Sequence, residues 1–427
     1  MADNTQKKLR NQMMYQVFVR NFSAEGTFKK VEEQLERIKA LGTDVIWLMP
    51  IHPIGKDKRK GSLGSPYAIS DYRAVNPEFG TLDDFKSLVN SIHKRGMKCI
   101  IDVVYNHTSP DSVLSREHPE WFYHKNDGSF GNRVGDWTDI IDLDYSNKEL
   151  WRYQIDTLNM WAEIVDGFRC DVAPLIPIEF WEEARREVAE VRTDAIWLSE
   201  SVEPDFIVYM RSQGLTALSD SEIYRAFDIS YEYDCYGAFR NYIYGSGSLK
   251  EYADAVNRQE YTFPDNYVKL RFLENHDQSR ARFLIPDEAA LKSWTAFMFF
   301  QKGMALVYNG QECAAAHYPT LFDKDGVDWD DPENIDLSGF ISKLAQIKKD
   351  TVFTDSVYSV RAIGNDILTA CHQKDGEKAV GVFPLKGQTS FVPADLPDGI
   401  YTNLIDDSKV EVFRDGVMCC GKPMIIK

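Results

Sequence analysis

The chain has 427 residues, of which 44% are hydrophobic and 27% charged, and its formal charge is −17. That length supports a large core and more than one domain. The acidic balance argues against nucleic acid or an anionic membrane as a partner, and no uninterrupted apolar run approaches the length of a membrane span. Residues 1–14 are polar and lack the apolar region of a secretory signal. Seven cysteines is an odd number. Cys99, Cys170 and Cys371 fall inside apparent strands, Cys419 and Cys420 are too close in sequence to pair comfortably, and no spacing resembles a zinc site. Reduced thiols in the cytoplasm are the expectation.

Residues 15–19 read as a first strand. Val31, Leu35, Ile38 and Leu41 then recur at helical spacing, with Gly42 as a stop. Residues 45–48 form a second strand, followed by the basic run 56–60, which reads as a solvated loop. Thr81 is placed to cap a helix, with Asp84 three residues on and an apolar face of Leu82, Phe85, Leu88, Val89 and Ile92. A third strand, 99–105, runs into Asn106-His107. Residues 108–139 are polar, turn-rich and aromatic, and too long for an ordinary connection, so they read as a functional insertion. Their aromatics (Trp121, Phe122, Tyr123, Phe130, Trp137) suit either sugar-stacking platforms or a small core of the insertion itself.

Trp151, Ile155, Leu158 and Trp161 mark the next helix, and residues 166–172 a fourth strand. On that strand Arg169 and Asp171 share a face, because side chains alternate. A cation beside a carboxylate favours its ionised form, and an ionised, positioned carboxylate can act as a nucleophile. A structural ion pair in a barrel wall is the competing reading. Further strands are expected at 196–199, within 227–236, at 269–273 and at 304–308, with helices between them and a closing helix through Leu337, Ile341, Leu344 and Ile347.

Eight strands alternating with helices predict an α/β fold, a closed parallel (β/α)8 TIM barrel whose site lies on the loops after the strands. After residue 350 short β runs alternate with turns at Asp375-Gly376, Asp398-Gly399 and Asp415-Gly416. The expected domains are a barrel of residues 1–107 and 140–349, a short insertion at 108–139 after the third strand, and an antiparallel β-sandwich at 350–427.

In a parallel barrel the strand ends share one rim. Asp102, Asn106, His107, Arg169, Asp171, Glu200, His276 and Asp277 therefore converge there. Four carboxylates with an arginine and two imidazoles fit glycosidic cleavage, in which one carboxylate attacks carbon and another protonates the leaving oxygen.

These stretches resemble the α-amylase family of glycoside hydrolases. Asp102-Val103-Val104-Tyr105-Asn106-His107 is similar to its first conserved block and Gly167-Phe168-Arg169-Cys170-Asp171 to its second. Glu200 corresponds to the third, and Phe272-Leu273-Glu274-Asn275-His276-Asp277 to the fourth. Residues 65–72 resemble the segment that supplies a tyrosine beneath the sugar. The resemblance implies Asp171 as nucleophile, Glu200 as general acid/base and Asp277 as the third carboxylate. It implies that Asp102 orients Arg169, and that Tyr67, His107, Arg169 and His276 bind substrate. Glu203 is a rival acid, set aside because Glu200 directly follows its strand. The resemblance further implies an α-1,4-acting hydrolase of malto-oligosaccharides and α-glucans that retains anomeric configuration. An α-1,6-acting or transglycosylating relative is the alternative, and a non-catalytic binding protein a remoter one. No cofactor is required. A structural calcium ion at Asn106 is an option, with Asp127 and Asp136 as candidate partners. Pro174 and Leu175 stand where many relatives carry Lys-His, a departure that bears both on calcium and on the polar grip on an α-1,4 chain. Val172, directly after Asp171, stands where valine in similar relatives tends to accompany α-1,6 or mixed activity.

Overall fold

Eight short strands pair in parallel, each with the next in sequence, and the eighth closes on the first. In the computed structural model, which describes residues 2–135 and 137–427, they are β1 (Met13–Val17), β2 (Val45–Leu48), β3 (Lys98–Val103), β4 (Gly167–Cys170), β5 (Ile196–Ser199), β6 (Ile229–Tyr231), β7 (Val268–Arg271) and β8 (Met304–Tyr308). This is the closed barrel that the alternation predicts. All residues of these strands except Lys98 are buried. A barrel wall is covered by helices outside and filled by side chains inside, so its strands read as continuous apolar runs.

Local chemistry sets the joints. The helix Leu82–Lys94 begins at Thr81, whose side chain accepts from the Asp84 amide while the Thr81 amide donates to Asp84 Oδ2 at 2.8 Å. That reciprocal box satisfies two otherwise orphaned amides. At the start of β4, Gly167 has φ of +151°, and a Cβ there would lie 2.1 Å from the Ile196 carbonyl oxygen. Only glycine lets β4 and β5 approach so closely.

Between β3 and β4 the chain makes its excursion, and residues His107–Thr108 pair with Ile141–Asp142 as a two-stranded ladder at its base. Trp121 and Phe122 are buried, and the Phe122 and Phe130 rings lie 5.4 Å apart. Trp121 and Phe122 are part of the barrel's own core, and Phe130 packs against it. Trp137 stands apart from them, its ring 5.7 Å from that of His107.

Beyond the barrel lie two four-stranded antiparallel sheets. The strands are β9 (Val357–Ile363), β10 (Ile367–Lys374), β11 (Glu377–Pro384), β12 (Thr389–Pro393), β13 (Gly399–Thr402), β14 (Lys409–Phe413), β15 (Gly416–Cys420) and β16 (Met424–Ile426). They run β9-β10-β11-β16 in one sheet and β12-β15-β14-β13 in the other. Val380, Val382, Val392, Val412 and Val417 fill the space between the sheets. The opposite face of the first sheet joins the barrel core through Leu368, Ala370 and Phe383. The Phe383 ring lies 5.3 Å from Phe297 and 5.5 Å from Phe300, both on the helix Glu288–Phe300. All seven cysteines are free. Among the described residues no helix is long and apolar enough to cross a membrane.

Candidate active site

Arg169 is the hub. Asp102 on β3 and Arg169 on β4 are register partners, so their side chains emerge side by side into the barrel mouth. The wholly buried guanidinium donates through Nη1 to Asp102 Oδ1 at 2.8 Å and to Asp171 Oδ1 at 2.7 Å. Its Nη2 lies 3.0 Å from Glu200 Oε2, although not aligned for a hydrogen bond. The rings of Trp47, Tyr67 and Tyr231 surround it at 5.2–5.6 Å. One fixed cation thus faces three carboxyl groups in a site from which water is largely excluded.

That imbalance decides the protonation. Burial pushes the Asp102 and Asp171 carboxyls up, and Arg169 opposes the rise in both. The Arg169 contact that the sequence suggested is therefore present, but for Asp171 it offsets burial without reversing it. Glu200 is raised to about 8, chiefly by burial, with Arg169 opposing and Asp171 and Asp277 adding to the rise. At neutral pH Glu200 therefore holds its proton, while Asp102 and Asp171 both accept from the Arg169 guanidinium. Asp277 moves the other way: burial would raise it, but His276, with Nε2 3.0 Å from Oδ2, and Arg169 together outweigh burial.

Glu200 is also gripped from below. The Val172 amide donates to its Oε2 at 2.8 Å. Val172 makes this possible by adopting a left-handed backbone, φ +35° and ψ +42°, directly after Asp171. A β-branched residue in that region is strained by about 1–3 kcal/mol. Oε2 therefore has two donor groups against it, and Oε1 is left to carry the proton outward. Glu203 is half-exposed and held by Arg240 at 3.0 Å, away from this cluster.

The remaining rim completes a pocket. The Tyr67 hydroxyl donates to Asp102 Oδ2 at 3.1 Å and lies 2.5 Å from His276 Nε2, with its ring stacked on the imidazole at 5.3 Å. Gln16 holds Nδ1 of His276 from the other side at 2.7 Å. His107 Nε2 is 3.9 Å from Asp171 Oδ2, and burial lowers this imidazole to about 4, so it is neutral. The Asp277 side chain is 37% exposed and opens onto the cleft. The structure thus brings together Tyr67, Asp102, His107, Arg169, Asp171, Glu200, His276 and Asp277. Gln16, Trp47 and Tyr231 belong to the same cluster and escaped the sequence reading, as did the left-handed backbone of Val172. The first two lie in the first and second strands, whose ends carry no motif, and no residue pattern announces a left-handed valine.

The described "Alpha amylase, catalytic domain" matches residues 3–133 and 111–381, and the "Bacterial Alpha amylase C-terminal domain" matches 359–426. The chain belongs to the α-amylase family. Among solved α-amylase family structures, an α-amylase from Lactobacillus plantarum is 49% identical, with a TM-score of 0.95 and 99% of both chains covered. A noncanonic maltogenic α-amylase from Thermotoga neapolitana is 34% identical at a TM-score of 0.87, covering 98% of this chain and 99% of that one. The α-amylase MalA of Haloarcula japonica is 27% identical over 95% of this chain. The chain spans 61% of that relative's length, and 39% of a Myxococcus xanthus α-1,4-glucan:maltose-1-phosphate maltosyltransferase that is 30% identical over 59% of this chain.

At Asn106 the calcium option meets a cation that the chain itself supplies. Asn106 lines a cavity of about 330 Å3 with Arg133, Asp142, Asp144 and Leu175. The Arg133 amide donates to Asp142 Oδ2 at 2.7 Å, and its guanidinium donates to the Leu143 carbonyl at 3.2 Å and lies 3.6 Å from Asp142. A fixed organic cation already stands among the oxygens a metal would need. The Asn106 carboxamide nitrogen is 3.2 Å from His107 Nδ1. Asp127 is exposed and turned to Ser129, and Asp136 lies outside the described residues. Among the described residues no group of three or more His, Cys, Asp and Glu side chains could hold a metal.

Proposed function

We propose that this α-amylase family member hydrolyses α-1,4-glucosidic bonds in malto-oligosaccharides and α-glucans by double displacement, with retention at the anomeric carbon. The observation that carries it is the shared grip of Arg169 on Asp171 and Glu200. Two carboxyl groups held on one guanidinium suit the close spacing of ~5 Å that retention requires, whereas inversion needs room for a water between them.

Asp171 attacks the anomeric carbon as Glu200 Oε1 gives its proton to the departing glucosidic oxygen. Glu200, now a carboxylate, takes a proton from water as that water attacks the same carbon and frees Asp171. Asp277, ionised and opening on the cleft, holds sugar hydroxyls and steadies the oxocarbenium-like charge. Neutral His107 and the Tyr67–His276 stack flank the ring being cleaved. The free thiols support a reducing compartment such as the cytoplasm. Proton NMR in the first minutes of maltoheptaose cleavage tests the reading. The α-anomer of the new reducing end should appear first, and an initial β-anomer would refute double displacement.

A further inference from the structure

Four segments meet on one side of the barrel mouth, across the ring from the strand that delivers the acid. In the ring of eight strands, β5, which delivers Glu200, stands four places from β1 in either direction. Over β1 the loop after β2 crosses the rim as a strap. At one end Lys60 pairs with Asp139 of the insertion at 2.9 Å, and the Asp139 side chain is only 7% exposed. The basic run is therefore not merely solvated: Lys56 and Lys58 are exposed, but Lys60 is an anchor. At the other end the Ser62 amide donates to Asp323 Oδ1 at 2.7 Å, and the Leu63 and Gly64 amides both donate to the Phe322 carbonyl, at 2.9 and 3.1 Å. Arg20, after β1, ties both partners from beneath by donating to the Gly64 carbonyl at 2.9 Å and the Leu321 carbonyl at 3.0 Å.

Gly61 marks the close crossing with Phe322. Its φ is +65°, and a Cβ there would come within 2.6–2.7 Å of Phe322 atoms. Leu321 packs against the cluster of Phe18, Met49, Tyr308 and Tyr67. The strap therefore begins immediately behind Tyr67, the ring stacked beside the cleavage position.

Resting on the function proposed above, we infer that this strap blocks the cleft on the side of the substrate's non-reducing end. The leaving oxygen must lie beside Glu200, so the leaving half of the glucan extends towards β5 and the retained half towards β1. A wall over β1, fixed at both ends and from below, limits how many retained glucose units fit. The enzyme then works inward from chain ends and releases short malto-oligosaccharides. The cations and carboxylates of the strap are specificity-determining and take no part in bond cleavage.

The experiment uses the full chain and two maltoheptaosides with the same reducing-end chromophore, one free and one with an ethylidene block at the non-reducing end. The expected kcat/KM for the blocked substrate is lower by at least about a hundredfold, the loss of a properly seated transition state. On amylose, reducing ends should accumulate while the iodine stain persists. The pair Lys60→Ala and Asp323→Ala, combined, should raise the blocked-to-free ratio by about tenfold or more. Comparable rates on both substrates, or early collapse of the iodine stain, would overturn the inference, as would an unchanged ratio in the double variant. Failure to cleave the free substrate at all would instead refute the function on which it rests.

Discussion

Raising the pH should switch off cleavage of ordinary glucans through Glu200 alone. An unperturbed glutamic acid titrates near ~4.3, so at pH 7 about one molecule in 500 would hold the proton. Glu200 is raised to about 8, chiefly by burial, which outweighs the opposing Arg169, and further by Asp171 and Asp277. With that value about nine molecules in ten keep the proton at pH 7, and about one in ten at pH 9. This lies above the ~6 usual for such an acid, because burial, with the Asp171 and Asp277 charges added to it, outweighs Arg169. Because kcat/KM reports the free enzyme, its profile on maltoheptaose should fall tenfold per unit above about pH 8. Maltosyl fluoride, whose leaving group needs no proton, should lack that basic limb. A limb centred below pH 6, or the same limb for both substrates, would refute the reasoning. Stability follows with a definite sign. The folded-state value is raised, so the contribution of Glu200 is complete below about pH 4.5 and is lost as the pH climbs through about 8. Glu200→Gln should flatten the corresponding drift in Tm.

Asp171→Asn should lower kcat by several orders of magnitude with an unchanged circular dichroism spectrum, and near-normal turnover would remove it as nucleophile. EDTA should leave Tm unchanged. Arg133→Ala, which keeps the amide bond to Asp142 but removes the cation beside that buried carboxyl and the donor to the Leu143 carbonyl, should cost about 1–3 kcal/mol in urea unfolding, without restoration by calcium. Val172→Thr keeps a β-branched residue next to Asp171 but exchanges a methyl group for a hydroxyl. It should lower the α-1,6 to α-1,4 ratio of kcat/KM, measured on panose against maltotriose, by about three- to thirtyfold. An unchanged ratio would leave Pro174 and Leu175 as the remaining candidates for linkage choice.

The barrel was legible because burial on both faces makes each strand an apolar run, and because the helix faces repeat at their own period. The charged rim was legible for a related reason: Asp102, Arg169, Glu200 and Asp277 interrupt or end runs that are otherwise apolar. What stayed hidden depends on contacts across long sequence separations. Arg133 reads as one more polar residue of a turn-rich insertion until the fold sets it against Asp142 and the Leu143 carbonyl. Lys60 looked solvated because its partner, Asp139, lies 79 positions away. Val172 looked like the last residue of a strand, and its left-handed turn becomes necessary only once Glu200 is present to receive the amide.

The face that the first C-terminal sheet lays on the barrel carries a consequence for the whole chain. Phe297 and Phe300 complete their packing only against Phe383, and His372 is buried with Nε2 2.7 Å from the Phe300 carbonyl oxygen. Lys348, at the end of the last barrel helix, is buried too and donates to the Phe299 and Gln301 carbonyls at 2.8 and 2.9 Å. Neither part owns a finished interior at this seam. A chain cut near residue 350 would leave an oily flank on the barrel and a half-dressed sheet on the other fragment. The appendage is thus a share of the catalytic unit's own foundation, and the two stand or fall in one cooperative step.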